Sequence, residues 1–124
     1  MKAGRMLGFG AHQQYFIYQG STDMRKGYYG LSGLVRNELG SDPLSGAVYV
    51  FFSKSRQTVK LLMWEGDGFV VYAKRLERGC YEAFSKQISA RQSPISYQHL
   101  VMLLSGISLM GTRQRKRYKM VAGG

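Results

Sequence analysis

Alternation of apolar and polar residues predicts an antiparallel sheet in the first two thirds of the chain. Residues 47–52 are apolar without alternation, as in a strand covered on both faces. Residues 58–64 alternate, and residues 65–68 carry two glycines suited to a hairpin turn. The predicted strands cover residues 15–18, 47–52, 58–64, 69–76 and 81–84.

Helical spacing of apolar residues predicts one main helix between the first two strands. Ser21 and Thr22 offer an N-cap, and Asp23 follows in the first turn, where the helix dipole favours a carboxylate. The apolar stripe, which includes Tyr28, continues to about Leu39. The following residue, Gly40, is a typical C-cap. We therefore predict a helix over residues 23–39.

Three glycines, Gly27, Gly30 and Gly33, lie inside this predicted helix. Each glycine costs roughly 0.5–1 kcal/mol relative to alanine in a helix interior. They either let the helix approach the sheet closely or mark a helix that is frayed there. The spacing of Gly27 and Gly30 beside the apolar stripe favours close packing.

The remainder of the chain is less regular. Residues 85–94 are polar and read as a linker, after which Ser96 caps a short helix over residues 97–104 that Gly106 ends. The predicted fold is a single α+β domain, with a mostly antiparallel sheet of four to five strands and one main helix on a face. A short C-terminal helix and a basic tail follow. The predicted segments are a flexible basic arm (1–12), the core (13–84), a linker with the short helix (85–110) and a disordered basic tail (111–124).

The net charge of the chain indicates the kind of molecule that it binds. The 124 residues include 18 Lys and Arg against 7 Asp and Glu, a formal charge of +11. Such a surplus in a small domain points to a polyanion, most often nucleic acid. The single cysteine, Cys80, excludes an internal disulfide and is interpreted as a small buried hydrophobe. No apolar segment has the length of a secretory leader core or a membrane span, so we expect a cytoplasmic protein.

The acidic residues do not predict a catalytic centre. Glu65 and Asp67 share one tight turn, whereas Glu77 lies at the far end of the hairpin, about 25–30 Å away at strand rise. A two-metal site needs carboxylates that converge within a few ångströms. The two histidines, His12 and His99, form no metal-binding motif. We therefore predict no catalytic residues, no metal and no cofactor.

Basic residues interleaved with aromatic ones favour nucleic-acid binding, since cations reach phosphates and aromatic rings stack on bases. Strand alternation places the neighbours Lys74 and Arg75 on opposite faces. Trp64 and Phe69 fit the interior of the fold better than its surface. The candidate DNA-binding residues are Arg25, Lys26, Lys60, Lys74, Arg75, Arg78, Arg113, Arg115, Lys116, Arg117 and Lys119.

Several spaced motifs resemble a bacterial transposon family. Residues 20–27 read GSTDMRKG, residues 64–68 read WEGDG and residues 73–79 read AKRLERG. In this order they resemble the TnpB-type accessory proteins of IS66-family insertion sequences, over about 60% of the chain. Glu65 stands where that family usually has Asp, and the likeness is weak after residue 84.

The resemblance implies a role in transposition without the strand-transfer site, which it places in the larger transposase. It implies a bacterial protein associated with the nucleoid when bound to DNA. Our first hypothesis is therefore a non-catalytic accessory factor that binds DNA, the large transposase or both. The alternatives are a minor metal-dependent nuclease that uses Asp23 or Asp67, and a pure protein-interaction module.

Overall fold

Five strands form one mixed sheet in a computed structural model of the chain, which describes residues 9–82 and 91–108. The strand order is β4-β3-β2-β1-β6, and β5 pairs with β7 in a separate two-stranded sheet. This architecture confirms the predicted α+β domain with one main helix on a face of the sheet. The elements are β1 (Tyr15–Ser21), α1 (Tyr28–Asn37), β2 (Val48–Phe52), β3 (Thr58–Trp64), β4 (Phe69–Arg75), β5 (Cys80–Tyr81), β6 (Gln92–Ile95), α2 (Tyr97–Ser105) and β7 (Ile107–Ser108).

Strands β1 and β2 pair in parallel, and the other pairs of the main sheet are antiparallel. A parallel pair needs a crossover connection, and α1 lies in that crossover. Every residue of β2 is buried, as the unbroken apolar run predicts for a central strand. The hairpin between β3 and β4 is also confirmed, with the Glu65 amide donating to the Gly68 carbonyl at 2.9 Å.

Strand β6 lies in the segment that its polar composition led us to interpret as a linker. It pairs antiparallel with β1 and places Pro94 opposite Phe16. As an edge strand it tolerates a proline, because the missing amide hydrogen breaks no ladder on its outer side. The sheet therefore uses residues from beyond position 84.

The two helices lie against opposite faces of the sheet. On the face covered by α1, hereafter the α1 face, Leu31 and Val35 pack with Tyr49, Phe51 and Leu62. The α2 face is the other one, where Leu100 and Leu103 pack against the larger cluster of buried side chains. That cluster includes Tyr15, Ile17, Val48, Val50, Phe52, Val59, Leu61 and Met63.

Helix α1 begins at Tyr28, so the predicted start at residue 23 with a Ser21 or Thr22 cap is wrong. Its N-cap is Gly27, whose carbonyl accepts the Leu31 amide at 2.9 Å, with no side-chain cap. Helix α2 agrees with its prediction: the Ser96 hydroxyl accepts the His99 amide at 3.0 Å, and Gly106 is the C-cap.

The sequence analysis predicts that Gly27, Gly30 and Gly33 let the helix pack closely on the sheet. The structure does not show this. A Cβ on Gly27 or Gly33 would meet nothing within 4 Å. A Cβ on Gly30 would come 3.0 Å from the Cβ of Lys26, so Gly30 leaves room for a lysine stem instead.

Several predicted segments fall wholly or partly outside the described residues. They are most of the 1–12 arm, part of the 81–84 strand, most of the 85–94 linker and the whole 111–124 tail. Cys80 is buried, as predicted for a small hydrophobe. Within the described part of the chain, neither helix is long enough or apolar enough to cross a bilayer.

Candidate nucleic-acid interface

A basic loop precedes α1 and comprises residues 23–27. The Asp23 carboxylate accepts the Arg25 backbone amide at 2.9 Å and pairs with the Arg25 guanidinium at 2.7 Å. These hydrogen bonds hold the pKa of Asp23 below its usual range and raise that of Arg25. The Arg25 side chain remains 90% exposed, so its free guanidinium donors face solvent.

Lys60 anchors this loop from strand β3. Its ammonium donates to the backbone carbonyls of Met24 and Lys26, both at 2.8 Å. In a continuous helix those carbonyls would accept the amides of residues 28 and 30, four positions onward. The lysine thus satisfies them in the loop, which explains why the helix starts later than the apolar spacing predicts.

The strand register sorts the remaining predicted cations by face. Lys60 lies opposite Ala73, and Arg75, two residues further along β4, therefore shares the α1 face with Lys60. Lys74 lies opposite Val59, whose side chain belongs to the core under α2, so Lys74 lies on the α2 face. The predicted separation of Lys74 and Arg75 is confirmed.

The structure thus brings Arg25, Lys26, Lys60 and Arg75 to one face. Arg78 lies in the turn after β4 and is exposed. Strand β4 is an edge of the sheet, where charged side chains also discourage pairing with other chains. Outside the described residues lie the five predicted tail cations, Arg113, Arg115, Lys116, Arg117 and Lys119.

An aromatic cleft opens beside the basic loop, where the start of α1 faces the β3–β4 hairpin. Its volume is about 390 Å³. Trp64 and Phe69 face each other across the hairpin, edge to face, with ring centroids 5.0 Å apart. Both are only partly buried, so their interpretation as interior residues is wrong in part. The lining residues are Tyr28, Tyr29, Trp64, Asp67, Gly68 and Phe69.

Sequence reasoning missed the two tyrosines of this cleft. Tyr28 had been assigned to the buried stripe, yet it is 52% exposed, and Tyr29 is 83% exposed. Adjacent helical residues project about 100° apart, so both cannot belong to one narrow buried stripe. The adjacent tyrosines Tyr28 and Tyr29 were the sequence signal that at least one of these rings is exposed.

Arg56 is a cation that the fold turns inward. Its guanidinium donates to the carbonyls of Tyr81, at 3.1 Å, and Glu82, at 2.6 Å, and lies 4.3 Å from the centre of the Phe52 ring. Burial lowers its pKa from the usual arginine value. Arg56 therefore joins the β2–β3 turn to β5.

Carboxylates, histidines and cysteine are dispersed over the fold. Within residues 9–82 and 91–108, no three of them lie close enough to hold a metal ion. Asp23 and Asp67, the two acids that the nuclease alternative would use, lie in separate places: the basic loop and the hairpin turn.

Comparison with known proteins shows one matching family and two similar bacterial proteins. The family model described as "IS66 Orf2 like protein" matches residues 13–114, well beyond the reach of the motifs around residues 20–79. A Sinorhizobium fredii protein, "Uncharacterized protein y4hO", is 36% identical over 102 residues, which cover 82% of this chain and 87% of that protein. A second one, "Uncharacterized protein y4jC", is 36% identical over 58 residues, 47% of this chain and 50% of that protein.

No solved structure matches the chain. The family match spans most of the sequence and agrees with the order of motifs around the basic loop and the hairpin. On this evidence the chain belongs to the IS66 Orf2-like family, whose members are accessory proteins of IS66 transposition.

Proposed function

We propose that this protein is a non-catalytic transposition factor that binds DNA through the α1 face. The observation that carries the proposal is the basic loop, which Lys60 fixes to the sheet and which presents Arg25 to solvent. Arg75 extends the same face along β4. The phosphates of one DNA backbone segment are the chemical partner that this surface suits.

Anchoring the loop favours binding because an ordered loop loses less conformational entropy on contact with DNA. Glycine and lysine residues in a free loop would sample many conformations. Here the Asp23 carboxylate and the Lys60 ammonium hold the backbone from both ends of the loop. Arg25 is therefore presented on a loop whose backbone is already held, which lowers the entropic cost of binding a phosphate.

A matched pair of charge reversals tests the proposal. Arg25→Glu and Lys74→Glu change the net charge equally, but on opposite faces of the sheet. With duplex DNA in a salt titration, we expect Arg25→Glu to lower affinity about tenfold and to reduce the salt slope by about 1. Lys74→Glu should change affinity less than about threefold. Equal effects of the two substitutions would contradict a localised interface.

The predicted basic tail adds a second electrostatic component to the proposal. Residues 113–119 contain five cations in seven positions. We expect deletion of residues 113–124 to weaken binding to all DNA sequences alike and to flatten the salt dependence. Unchanged affinity and slope in filter binding would remove the tail from the proposal.

The large transposase of the same element is the proposed protein partner, supported by the family's accessory role. A pull-down with that transposase, with and without element-end DNA, tests it. Retention that requires DNA would mean that the two proteins meet only on the nucleic acid.

The proposed absence of catalysis has its own test: metal-dependent cleavage of supercoiled DNA that Asp67→Ala abolishes, with folding intact, would contradict it.

A further inference from the structure

We propose that the aromatic cleft between α1 and the β3–β4 hairpin holds an unpaired DNA base. This inference rests on the proposed DNA binding and adds the form of DNA that the protein recognises. The observation behind it is the gathering of four aromatic rings and one carboxylate around an open space of about 390 Å³ beside the basic loop.

Two of the four rings are exposed to solvent, and the other two contact each other across the hairpin. Tyr28 and Tyr29 are 52% and 83% exposed at the start of α1, although exposing aromatic rings to water is unfavourable. On the opposite wall, Trp64 and Phe69 support each other edge to face, which leaves ring surface directed away from their mutual contact. Bases stack on such rings whatever their sequence, because every base has a π face.

The β3–β4 turn contributes Gly68 to the lining of the cleft. Gly66 has φ +99°, a conformation that favours glycine, and a Cβ on Gly68 would meet nothing within 4 Å. The space next to Gly68 is therefore open.

Cations lie beside the cleft in the basic loop, and the charged residue of the cleft's own lining is Asp67. Arg25 and Lys26 lie three and two residues before Tyr28 in the chain, so phosphates bound at the basic loop belong to nucleotides near the cleft. Lys60 and Trp64 lie on the same face of β3, about 13 Å apart at strand rise. One strand can therefore meet cations at one end of this path and aromatic rings at the other, the arrangement of single-strand binding surfaces.

Asp67 adds a preference among bases. A carboxylate only accepts hydrogen bonds, and the exocyclic amino group of cytosine is a donor that it suits. Thymine offers no such amino group. We therefore expect cytosine to be bound in preference to thymine.

Three DNA ligands of equal length test the proposal by fluorescence anisotropy: a single strand with bases, the same strand with abasic sites, and a duplex. We expect the base-bearing strand to bind at least about fivefold more tightly than the abasic strand. Tyr29→Ala should remove most of that difference and leave abasic binding unchanged. Tyr29→Phe, which keeps the ring, should retain the difference.

Tyr72→Ala is the matched control, because Tyr72 is a 42% exposed tyrosine whose register position lies on the α2 face. It should leave all three affinities unchanged. Equal binding of abasic and base-bearing strands, still sensitive to Arg25→Glu, would overturn the base site and leave the proposed function standing. Binding to none of the three ligands would overturn both.

A comparison of oligo-dC with oligo-dT tests whether Asp67 favours cytosine over thymine. We expect oligo-dC to bind several-fold more tightly, and Asp67→Asn, whose amide can also donate, to reduce the ratio. A cleft that takes a protein segment instead would leave every DNA affinity unchanged in Tyr29→Ala, and this result would overturn the proposal.

Discussion

The two faces of the sheet are built from the same alternating strands yet have different surroundings. Under α2 the side chains of β1, β2 and β3 form a continuous apolar cluster, and Leu100 and Leu103 close it. On the α1 face the apolar cluster is smaller, and a lysine within β3 is directed to backbone carbonyls of the neighbouring loop. The exposed aromatic cleft lies on this second side.

The difference separates the residues that stabilise the fold from those that are exposed to a partner. The α2 face buries apolar surface, which is the dominant favourable contribution to folding. On the α1 face, the loop, the cleft and the end of β4 are at least partly exposed. Substitutions under α2 should therefore affect stability alone, whereas substitutions around the basic loop should affect DNA binding, together with stability where they change how the loop is held.

The largest expected effect is on the α2 face. Leu100 is 3% exposed, and Leu100→Ala should lower the free energy of unfolding by about 2–5 kcal/mol through lost burial and a residual cavity. Urea denaturation measures this change. The folded fraction should bind DNA as the wild type does. Val101→Ala, at an exposed position of the same helix, is the control and should change stability little.

Next in size is the loss of the Lys60 ammonium. Lys60→Met keeps a long apolar stem but removes the donor to the Met24 and Lys26 carbonyls, so we expect a loss of about 1–3 kcal/mol in unfolding free energy. DNA affinity should fall as well, because the loop loses its anchor. Lys54→Met, in an exposed turn, should change unfolding free energy by less than about 0.5 kcal/mol. Equal effects of the two would contradict the anchoring role.

The helix N-termini provide a smaller contrast. Ser96→Ala removes the hydroxyl that accepts the His99 amide, and should cost about 0.5–2 kcal/mol in the unfolding free energy. Gly27, the N-cap of α1, has no side chain for this purpose and has open space around it. Gly27→Asn should therefore raise stability by a few tenths of a kcal/mol. A destabilising Gly27→Asn in thermal unfolding would show that the loop needs glycine there.

A small effect on DNA affinity is expected at Asp23. Asp23→Asn keeps an oxygen for the Arg25 amide but removes the negative charge beside the guanidinium. Affinity for duplex DNA should rise about two- to fivefold at low salt and converge with the wild type as salt increases. A fall in affinity at every salt concentration would mean that the ion pair is needed to place Arg25.

Strands were predictable where a single local signal decides them. The unbroken run of β2 and the alternation of β3 gave correct elements, and Ser96 marked the start of α2. The start of α1 was not predictable, because Lys60 competes for its carbonyls from 34 and 36 residues away in sequence. Strand β6 was missed because a polar edge strand with a proline carries little apolar pattern.

The candidate site was also predictable only where local sequence signals decide it. Charge and motifs identified Arg25, Lys26 and Arg75 from the sequence, and alternation separated Lys74 from them. The cleft depends on two segments, at Tyr28 and Trp64, that only the folded chain brings together. Neighbouring exposed tyrosines at a helix start are the local signal to examine in similar sequences.

The central claim is that DNA meets the α1 face. Assigned amide NMR spectra of the full chain, titrated with a short single strand, test it residue by residue. We predict that, among the described residues, the largest shift changes occur at residues 24–29 and 64–69 and only small ones along α2 and at Lys74. Changes concentrated on α2 and Lys74, with the basic loop unmoved, would contradict the account.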